Sequence, residues 1–172
     1  MSTMQHLLSR HLNPALYHVS VDEAESVATF LLFNLSGQVV GYQQYRPGAA
    51  KAQNNDPRAG RYFTYSPKHL LAVFGLETYH FRTDLLFVTE GVFDACRLHN
   101  LGLPAVAVLS NNPKGLANFL FTVPRRVVVV ADNDPAGKML MEYGDEVLVC
   151  DAGKDLGDMT DGEVQSLLTR YL

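Results

Sequence analysis

Cysteine is scarce in this chain, and its scarcity excludes two kinds of architecture. Cys96 and Cys150 are the only cysteines, and they lie far apart without forming a Cys-x-x-Cys pair. A zinc ribbon requires such pairs, and a disulfide framework requires several spaced cysteines, so neither is predicted. Both thiols are expected in or near the core of a protein from a reducing compartment.

Long apolar runs are absent as well. No segment approaches the length of a transmembrane helix, and residues 1–12 lack the apolar stretch of a signal peptide. A Gly-x-x-x-x-Gly-Lys-[Ser/Thr] loop is also missing, which excludes ATP-driven unwinding by these residues. The sequence therefore predicts a soluble protein of the cytoplasm without a membrane partner.

Net charge is low, at −4, so the chain as a whole is not a general binder of polyanions. The average conceals a split, because ten of the 18 acidic residues fall within residues 130–163. Residues 41–72 contain Asp56 as their single acid, and their basic residues are Arg46, Lys51, Arg58, Arg61 and Lys68. This segregation predicts a positive surface beside an acidic pocket.

Hydrophobic patterning divides the chain into two parts. From residue 83 onward, apolar runs alternate with segments of helical character, which is typical of an α/β fold with a parallel sheet and helices on both faces. The predicted strands are residues 85–89, 105–109, 126–131 and 146–150, and the predicted helices are 92–101, 115–121, 136–143 and 162–172. The parallel-sheet core is therefore assigned to residues 83–172.

Residues 1–82 are predicted to form a small mixed α+β subdomain. Strands are expected at residues 29–35 and 38–45, around a turn at Ser36-Gly37, and again at 61–65. A turn of helix is expected at 67–74, and the polar stretch 47–60 is expected to be a mobile loop.

Acidic residues end two of the predicted parallel strands. Glu90 follows the first of these strands, and Asp132 and Asp134 follow the run of four valines that begins at Val127. Because ligands of open parallel sheets bind beyond the carboxyl ends of the strands, these acids predict a magnesium or phosphate site there. A purely structural explanation stays open for each: Asp134 caps a helix, Asp132 ends a strand, and Glu90 is a solvated carboxylate.

Three motifs in a fixed order resemble the signature of the Toprim domain. They are Glu90-Gly91-x-x-Asp94, then Asp132-x-Asp134-x-x-Gly137, then the segment from Gly153 to Asp158. The resemblance runs from about Leu85 to Met159 and is nearest to the primases of phages and bacteria. Upstream, residues 37–42, Arg46, 61–67 and 74–76 resemble the small basic subdomain that precedes Toprim in primases.

The resemblance implies roles for the acids. Glu90, Asp132 and Asp134 would be the core set that holds Mg²⁺ or Mn²⁺, and Asp155 would be a further metal-facing acid. Whether Glu90 acts as ligand or as general base stays open, as does whether Asp94 orients ligands or only complements a helix dipole.

The last motif departs from bacterial primases, which have a second acid at the position of Gly157. The spacing from Asp155 to Asp158 instead resembles the phage primase-helicases. Lys154 is expected either to offset the acids and touch a triphosphate, or to be an ordinary loop lysine.

Basic residues are expected to contact nucleic acid or nucleotide. Arg46 and Arg61 fall in the primase-like segments, and Lys51, Arg58, Lys114 and Asn111 are further candidates. Aromatic residues interleave with the upstream group, an arrangement that suits base stacking, although alternating aromatics also occur in cores. For Asn111 the competing explanation is a simple Asn-Asn-Pro turn.

The expected function is that of a minimal primase-like protein of phage or plasmid replication. It would make short RNA on a single-stranded DNA template from ribonucleoside triphosphates, in the host cytoplasm if it is phage-encoded. Since a zinc ribbon and a helicase domain are missing, a replicative helicase or a separate template-recognition protein is an expected partner. The alternatives are a metal-dependent Toprim nuclease and a non-catalytic replication-associated binding module.

Overall fold

The amino-terminal half of the chain forms an antiparallel sheet. The computed structural model describes residues 1–51, 55–81, 83–110, 113 and 115–172. Helix α1 (Thr3–Ser9) precedes four strands that lie side by side in chain order: β1 (Val19–Asp22), β2 (Val27–Phe33), β3 (Val39–Tyr45) and β4 (Tyr62–Tyr65). A short 3₁₀ helix, Pro57–Ala59, lies between β3 and β4.

The carboxy-terminal half forms a parallel sheet. Its strands are β5 (Leu85–Thr89), β6 (Ala105–Ala107), β7 (Arg126–Ala131) and β8 (Glu146–Val149), in the spatial order β6-β5-β7-β8. The helices are α2 (Val92–Asn100), α3 (Leu116–Thr122), α4 (Pro135–Met141) and α5 (Asp161–Leu168). Two further 3₁₀ helices, Leu76–His80 and Leu156–Asp158, lie before β5 and before α5.

Helices cover both faces of the parallel sheet, as predicted. Strand side chains alternate between faces, so Leu86 and Val88 pack on one side, against α3 and α4 residues such as Leu116 and Leu140. Phe87 and its neighbours on the other face pack with residues of α2 and α5. Burial on both faces explains why these strands read as continuous apolar runs.

Helix α2 lies between the two sheets. Every residue from Val92 to His99 is buried, because the parallel sheet covers one side of the helix and the antiparallel sheet another. The ring of Phe93 packs edge-on against Phe30 of β2 and Tyr45 of β3, with centroid distances of 6.2 and 5.0 Å. The first turn of α2 therefore holds both sheets against the end of β5.

One element of the sequence analysis is wrong. Residues 67–74 contain a single turn, closed by a 3.2 Å hydrogen bond from Leu70 N to Pro67 O, and then run as an extended connection between the sheets. Val73 pairs with Phe33 of β2, and Phe74 pairs with Ala107 of β6. The end of this segment, Val73 and Phe74, is thus hydrogen-bonded to two distant strands, which no local pattern encodes.

Helix α1 and strand β1 had no counterpart in the sequence analysis. The sequence does carry a signal for α1, because Ser2 and Gln5 form a reciprocal capping box. The division of the chain at residues 82 and 83 stays a prediction, since core residues of both sheets pack in one cluster. No helix within the described ranges is long and apolar enough to cross a membrane.

Candidate active site

Two adjacent parallel strands deliver acids to one edge of the sheet. Glu90 follows β5 and Asp132 follows β7, and these strands pair in parallel with Val88 opposite Val129. Their carboxyl ends therefore open at the same edge. A pocket of about 280 Å³ lies there, and its acidic lining residues are Glu90, Asp94, Asp132 and Asp155.

The carboxyl groups of this acidic pocket repel one another. Burial raises the pKa of Asp132 from 3.8 to about 6, and the charges of Asp155 and Glu90 add to the shift. Burial and the charge of Asp134 raise the pKa of Glu90, which Lys51 partly offsets. Such mutual repulsion is relieved by a bound cation.

Asp134 has a structural role that the sequence alone left open. Its Oδ1 accepts a 2.6 Å hydrogen bond from Gly137 N and so caps helix α4, with Pro135 in the first turn. Its side chain does not line the acidic pocket, but its charge raises the pKa of both Glu90 and Asp132. Asp134 thus caps the helix and adds negative charge beside the pocket.

Gly137 allows helix α4 to approach the end of β7. A Cβ placed on Gly137 would lie 2.1 Å from the carbonyl oxygen of Asp132, where no side chain fits. The glycine of the Asp-x-Asp-x-x-Gly motif is therefore required by this close contact of two backbones. The contact fixes the position of the Asp132 main chain.

Asp94 lines the pocket and acts as a buried clamp between two segments, with 8% of its surface exposed. Its Oδ2 accepts a 3.0 Å hydrogen bond from Gly91 N, and its Oδ1 accepts a 2.8 Å bond from Gly157 N. Burial, followed by the charge of Asp155, raises the pKa of Asp94 to about 8. Asp94 therefore joins the end of β5 to the loop that carries Asp155, in addition to lying in the first turn of α2.

The loop of the last motif is held by its own acids. Asp155 caps the 3₁₀ helix Leu156–Asp158, because its Oδ1 accepts a 2.8 Å hydrogen bond from Asp158 N. Asp158 does not line the acidic pocket and forms an ion pair with Arg10, with 3.2 Å between the Arg10 Nη2 and Asp158 Oδ1 atoms. Burial raises the pKa of Asp155, and Arg10 lowers it.

Arg10 is a site residue that the sequence analysis missed. It follows α1 and reaches the pocket with its guanidinium 4.5 Å from the centroid of the Phe93 ring. Its Nε is buried and has no hydrogen-bond partner among the described residues. The capping box of α1 could have located the helix, but nothing local places its last turn against the distant acids.

Lys154 lies outside the acidic pocket. Its Nζ forms a close ion pair with Glu163 of α5, and Glu163 also accepts a 2.7 Å hydrogen bond from Thr160 N. The side chain is therefore engaged with the helix that follows. Contact between Lys154 and a triphosphate stays a prediction.

The predicted basic residues separate into different places. Lys51 lines the acidic pocket, Arg61 donates through Nε to Ala49 O at 3.0 Å, and Arg58 lies 5.8 Å from the Phe63 ring centroid. The Nη1 of Arg46 is buried without a partner in the described part of the chain. Asn111 and Lys114 lie outside the described residues.

The two faces of strands β3 and β4 present different side chains. Tyr62, Thr64 and Gln43 line the acidic pocket, and Gln43 Nε2 donates a 2.8 Å hydrogen bond to Thr64 Oγ1. On the opposite face, Tyr42 stacks on Tyr65 with 5.5 Å between centroids. The aromatic residues of this segment therefore form two separate groups.

The acids form an open arrangement. Within the described ranges, no three His, Cys, Asp or Glu side chains converge closely enough to enclose one ion. A hard cation such as Mg²⁺ keeps several waters and takes only one or two carboxylates, so an open set is compatible with it. A closed zinc site is not formed by these residues.

Comparison with known proteins identifies the fold. No protein-family model matches the chain, and no curated protein matches it. The primase fragment of the bacteriophage T7 primase-helicase matches 95% of this chain with 69% of its own, at a TM-score of 0.64 and 14% identity. The structure of the Aquifex aeolicus primase contains zinc-binding and RNA polymerase domains. It covers 87% of this chain with 40% of its own length, at a TM-score of 0.58 and 23% identity. This chain has the fold of a primase catalytic core.

A third similar structure is a primase catalytic domain bound to single-stranded DNA. It matches 96% of this chain with 60% of its own, at a TM-score of 0.59 and 17% identity. The chain thus spans 40% of the Aquifex structure and 60% of this one. At these identities the likeness establishes a shared fold.

Proposed function

We propose that the chain is a metal-dependent primase that synthesises short RNA on single-stranded DNA. The observation that carries the proposal is the gathering of Glu90, Asp132 and Asp155 in one pocket at the carboxyl edge of the parallel sheet. This pocket lies within the fold of a primase catalytic core. Nucleotidyl transfer between nucleotides requires such concentrated negative charge to hold cations beside phosphates.

The pocket suits Mg²⁺ or Mn²⁺ on the chemistry of its donors. Its partly buried carboxylates raise one another's pKa, and the cations that offset them in the pocket lining are Lys51 and Arg10. Glu90, Asp132 and Asp155 would hold the ions, with Asp134 contributing charge from the cap of α4. The bound metal would acidify a ribose hydroxyl and offset the charge that develops on the phosphate.

The chain's own residues would position the reacting groups. The 3′-hydroxyl oxygen of one nucleotide bonds to the α-phosphorus of the next, and the bond from that phosphorus to the bridging oxygen breaks. Pyrophosphate leaves with the bonding electrons, and the hydroxyl proton passes to a carboxylate of the pocket. Asp94 holds the Gly91 and Gly157 backbones, so it fixes the two loops that present Glu90 and Asp155.

Single-stranded DNA is the template in this proposal. Support comes from the primase catalytic domain that was solved bound to such DNA and shares this fold. Lys51 and Arg10 line the pocket beside the acids and would bind phosphates. A helicase or a separate template-recognition protein as partner, and a role in phage or plasmid replication, remain part of the proposal.

One gel assay tests the proposal against a nuclease. Wild-type and Asp132→Asn protein would be incubated with end-labelled single-stranded DNA, ribonucleotides carrying a second label, and Mg²⁺ or Mn²⁺. New oligoribonucleotides with the wild type, absent with the variant, would support primer synthesis. Shortened template without new product would show a nuclease and contradict the proposal, and neither product would favour a binding module.

A further inference from the structure

A second groove continues from the acidic pocket along the seam between the two sheets. It has a volume of about 210 Å³ and shares Thr64 and Leu109 with the lining of the acidic pocket. Ser66 and Lys68 line this groove but not the acidic pocket, and we call it the Lys68 groove. The shared residues place the two cavities side by side, as neighbouring compartments.

The walls of the Lys68 groove have the chemistry of a nucleotide site. Leu71, Val108 and Pro113 provide an apolar surface that suits the flat face of a base, and Ser66 provides a hydroxyl for polar groups of the sugar. Lys68 is exposed and is the single charged side chain among the described residues that line the groove. One cation suits the phosphates of one nucleotide better than the repeated charges of a long strand.

The volumes of the two compartments also favour a single ligand that occupies both. Sites for small molecules usually enclose about 300–1,000 Å³. The acidic pocket, at about 280 Å³, and the Lys68 groove, at about 210 Å³, each fall below that range. The two compartments joined fall within it, so a ligand that extends from the acids into the groove fits better than one confined to either.

Leu109 couples the groove to the acids. Its φ is +59°, in the left-handed region that leucine seldom adopts. Its N–H donates a 2.8 Å hydrogen bond to the carbonyl of Glu90, so this conformation is tied to the end of β5. Unusual backbone of this kind concentrates at binding and catalytic sites, where it is held for function.

We propose that the Lys68 groove binds the initiating nucleoside triphosphate, the nucleotide that supplies the first 3′-hydroxyl. This inference rests on the proposed primase function. The 3′-hydroxyl must lie near Glu90 and Asp132, whereas the triphosphate of the same nucleotide does not react and is repelled by those acids. Lys68 lines the groove and not the acidic pocket, so it gives this triphosphate a positive partner apart from the acids.

The test separates initiation from extension. Lys68→Gln is compared with Lys68→Arg and with Lys138→Gln, which changes an exposed lysine on α4 that lines neither compartment. Losing one charged contact to phosphate should raise the KM for the initiating nucleotide about tenfold in synthesis started from free nucleotides. On a preformed oligoribonucleotide annealed to template, the KM for the added nucleotide should stay within about twofold.

Two further comparisons test whether the effect depends on the phosphates and on the positive charge. A nucleoside initiator without phosphates should be used equally well by the wild type and Lys68→Gln, and Lys68→Arg should restore most of the initiation. Equal effects on initiation and extension, or no effect on either, would overturn the inference. So would weaker binding of single-stranded DNA, measured by anisotropy, with normal initiation, since the groove would then hold template.

Binding of labelled ATP by equilibrium dialysis keeps this inference distinct from the proposed function. Weaker binding by Lys68→Gln but not by Lys138→Gln supports a nucleotide site in the groove even if no primer is made. Binding that is unchanged by Lys68→Gln, or absent from the wild type, overturns the inference even if primers are made. The gel assay decides primer synthesis separately.

Discussion

Replacing Asp132 by asparagine should stabilise the protein while abolishing its activity. The substitution keeps the shape of the side chain and removes one of the mutually repelling charges of the acidic pocket. The pKa of Asp132 is raised from 3.8 to about 6, so its ionised form is disfavoured in the folded state. At neutral pH the free energy of unfolding should therefore be lower for the wild type than for the variant.

The size of the stabilisation follows from the shift in the pKa of Asp132. A change of about two pKa units corresponds to about 3 kcal/mol for a fully shielded group. Asp132 is partly exposed, and solvent screening reduces the expected gain to about 1 kcal/mol. For a domain of this size, that gain would raise the melting temperature by about 2–4 °C.

The destabilisation caused by the Asp132 charge depends on pH. A carboxyl group with a raised folded-state pKa binds more protons folded than unfolded, so its destabilisation is complete above pH 6. It declines to about half near pH 5 and vanishes below about pH 4. The difference between Asp132→Asn and wild type should therefore be largest at pH 8 and shrink on acidification.

Thermal unfolding followed by circular dichroism, in metal-free buffer at several pH values, measures this difference. The matched control is Asp84→Asn, the same change at an exposed position. Asp84 directly precedes β5, whereas the acidic pocket lies beyond the carboxyl end of that strand. This control should shift the melting temperature by less than the Asp132 variant. A lower melting temperature for Asp132→Asn at pH 8, or a gain that does not change with pH, would refute the reasoning.

Three further predictions concern the residues that shape the pocket. Gly137→Ala should destabilise the protein by more than about 2 kcal/mol, whereas Gly162→Ala, in open space on α5, should gain up to about 1 kcal/mol; equal urea midpoints would contradict this. Asp94→Ala should cost about 2–4 kcal/mol by leaving two backbone donors without an acceptor, and an unchanged urea midpoint would count against the clamp. Arg10→Gln should further raise the pKa of Asp155, so Mg²⁺ affinity by calorimetry should decline more steeply on acidification in the variant than in the wild type; the same decline in both would argue against this role.

The parallel-sheet half could be predicted from sequence because its signals are local. The apolar runs that form β5 and β7 are buried on both faces and end abruptly at Glu90 and Asp132. Adjacent parallel strands necessarily open at the same edge, so proximity of the acids follows from strand order. The sequence could not show that Asp134 caps α4 and lies outside the pocket lining, because a cap and a ligand have the same spacing.

The connection between the sheets was beyond sequence reasoning for a physical reason. Val73 and Phe74 pair with Phe33 and Ala107, which lie far away in the chain. Isolated bridges of this kind have no periodicity. A proline followed by apolar residues therefore predicted a turn of helix where the tertiary structure requires an extended crossing.

Arg10 shows the same limit at the site itself. The seven-residue helix α1 is too short to be stable alone and is held by the burial of Leu7 against the antiparallel sheet. The direction of Arg10 depends on that packing and on the ring of Phe93. Charge patterning located the basic segment 41–72, but it gave no reason to look at a single arginine near the amino terminus.

We propose that the acids at the ends of β5 and β7 hold a divalent cation. The most direct test is calorimetric titration of Mg²⁺ into wild-type, Asp84→Asn and Asp132→Asn protein, with single-stranded DNA and ribonucleotide present. The account predicts binding by the first two proteins and its loss in Asp132→Asn. Absence of binding to the wild type, or equally tight binding to Asp132→Asn, would contradict it.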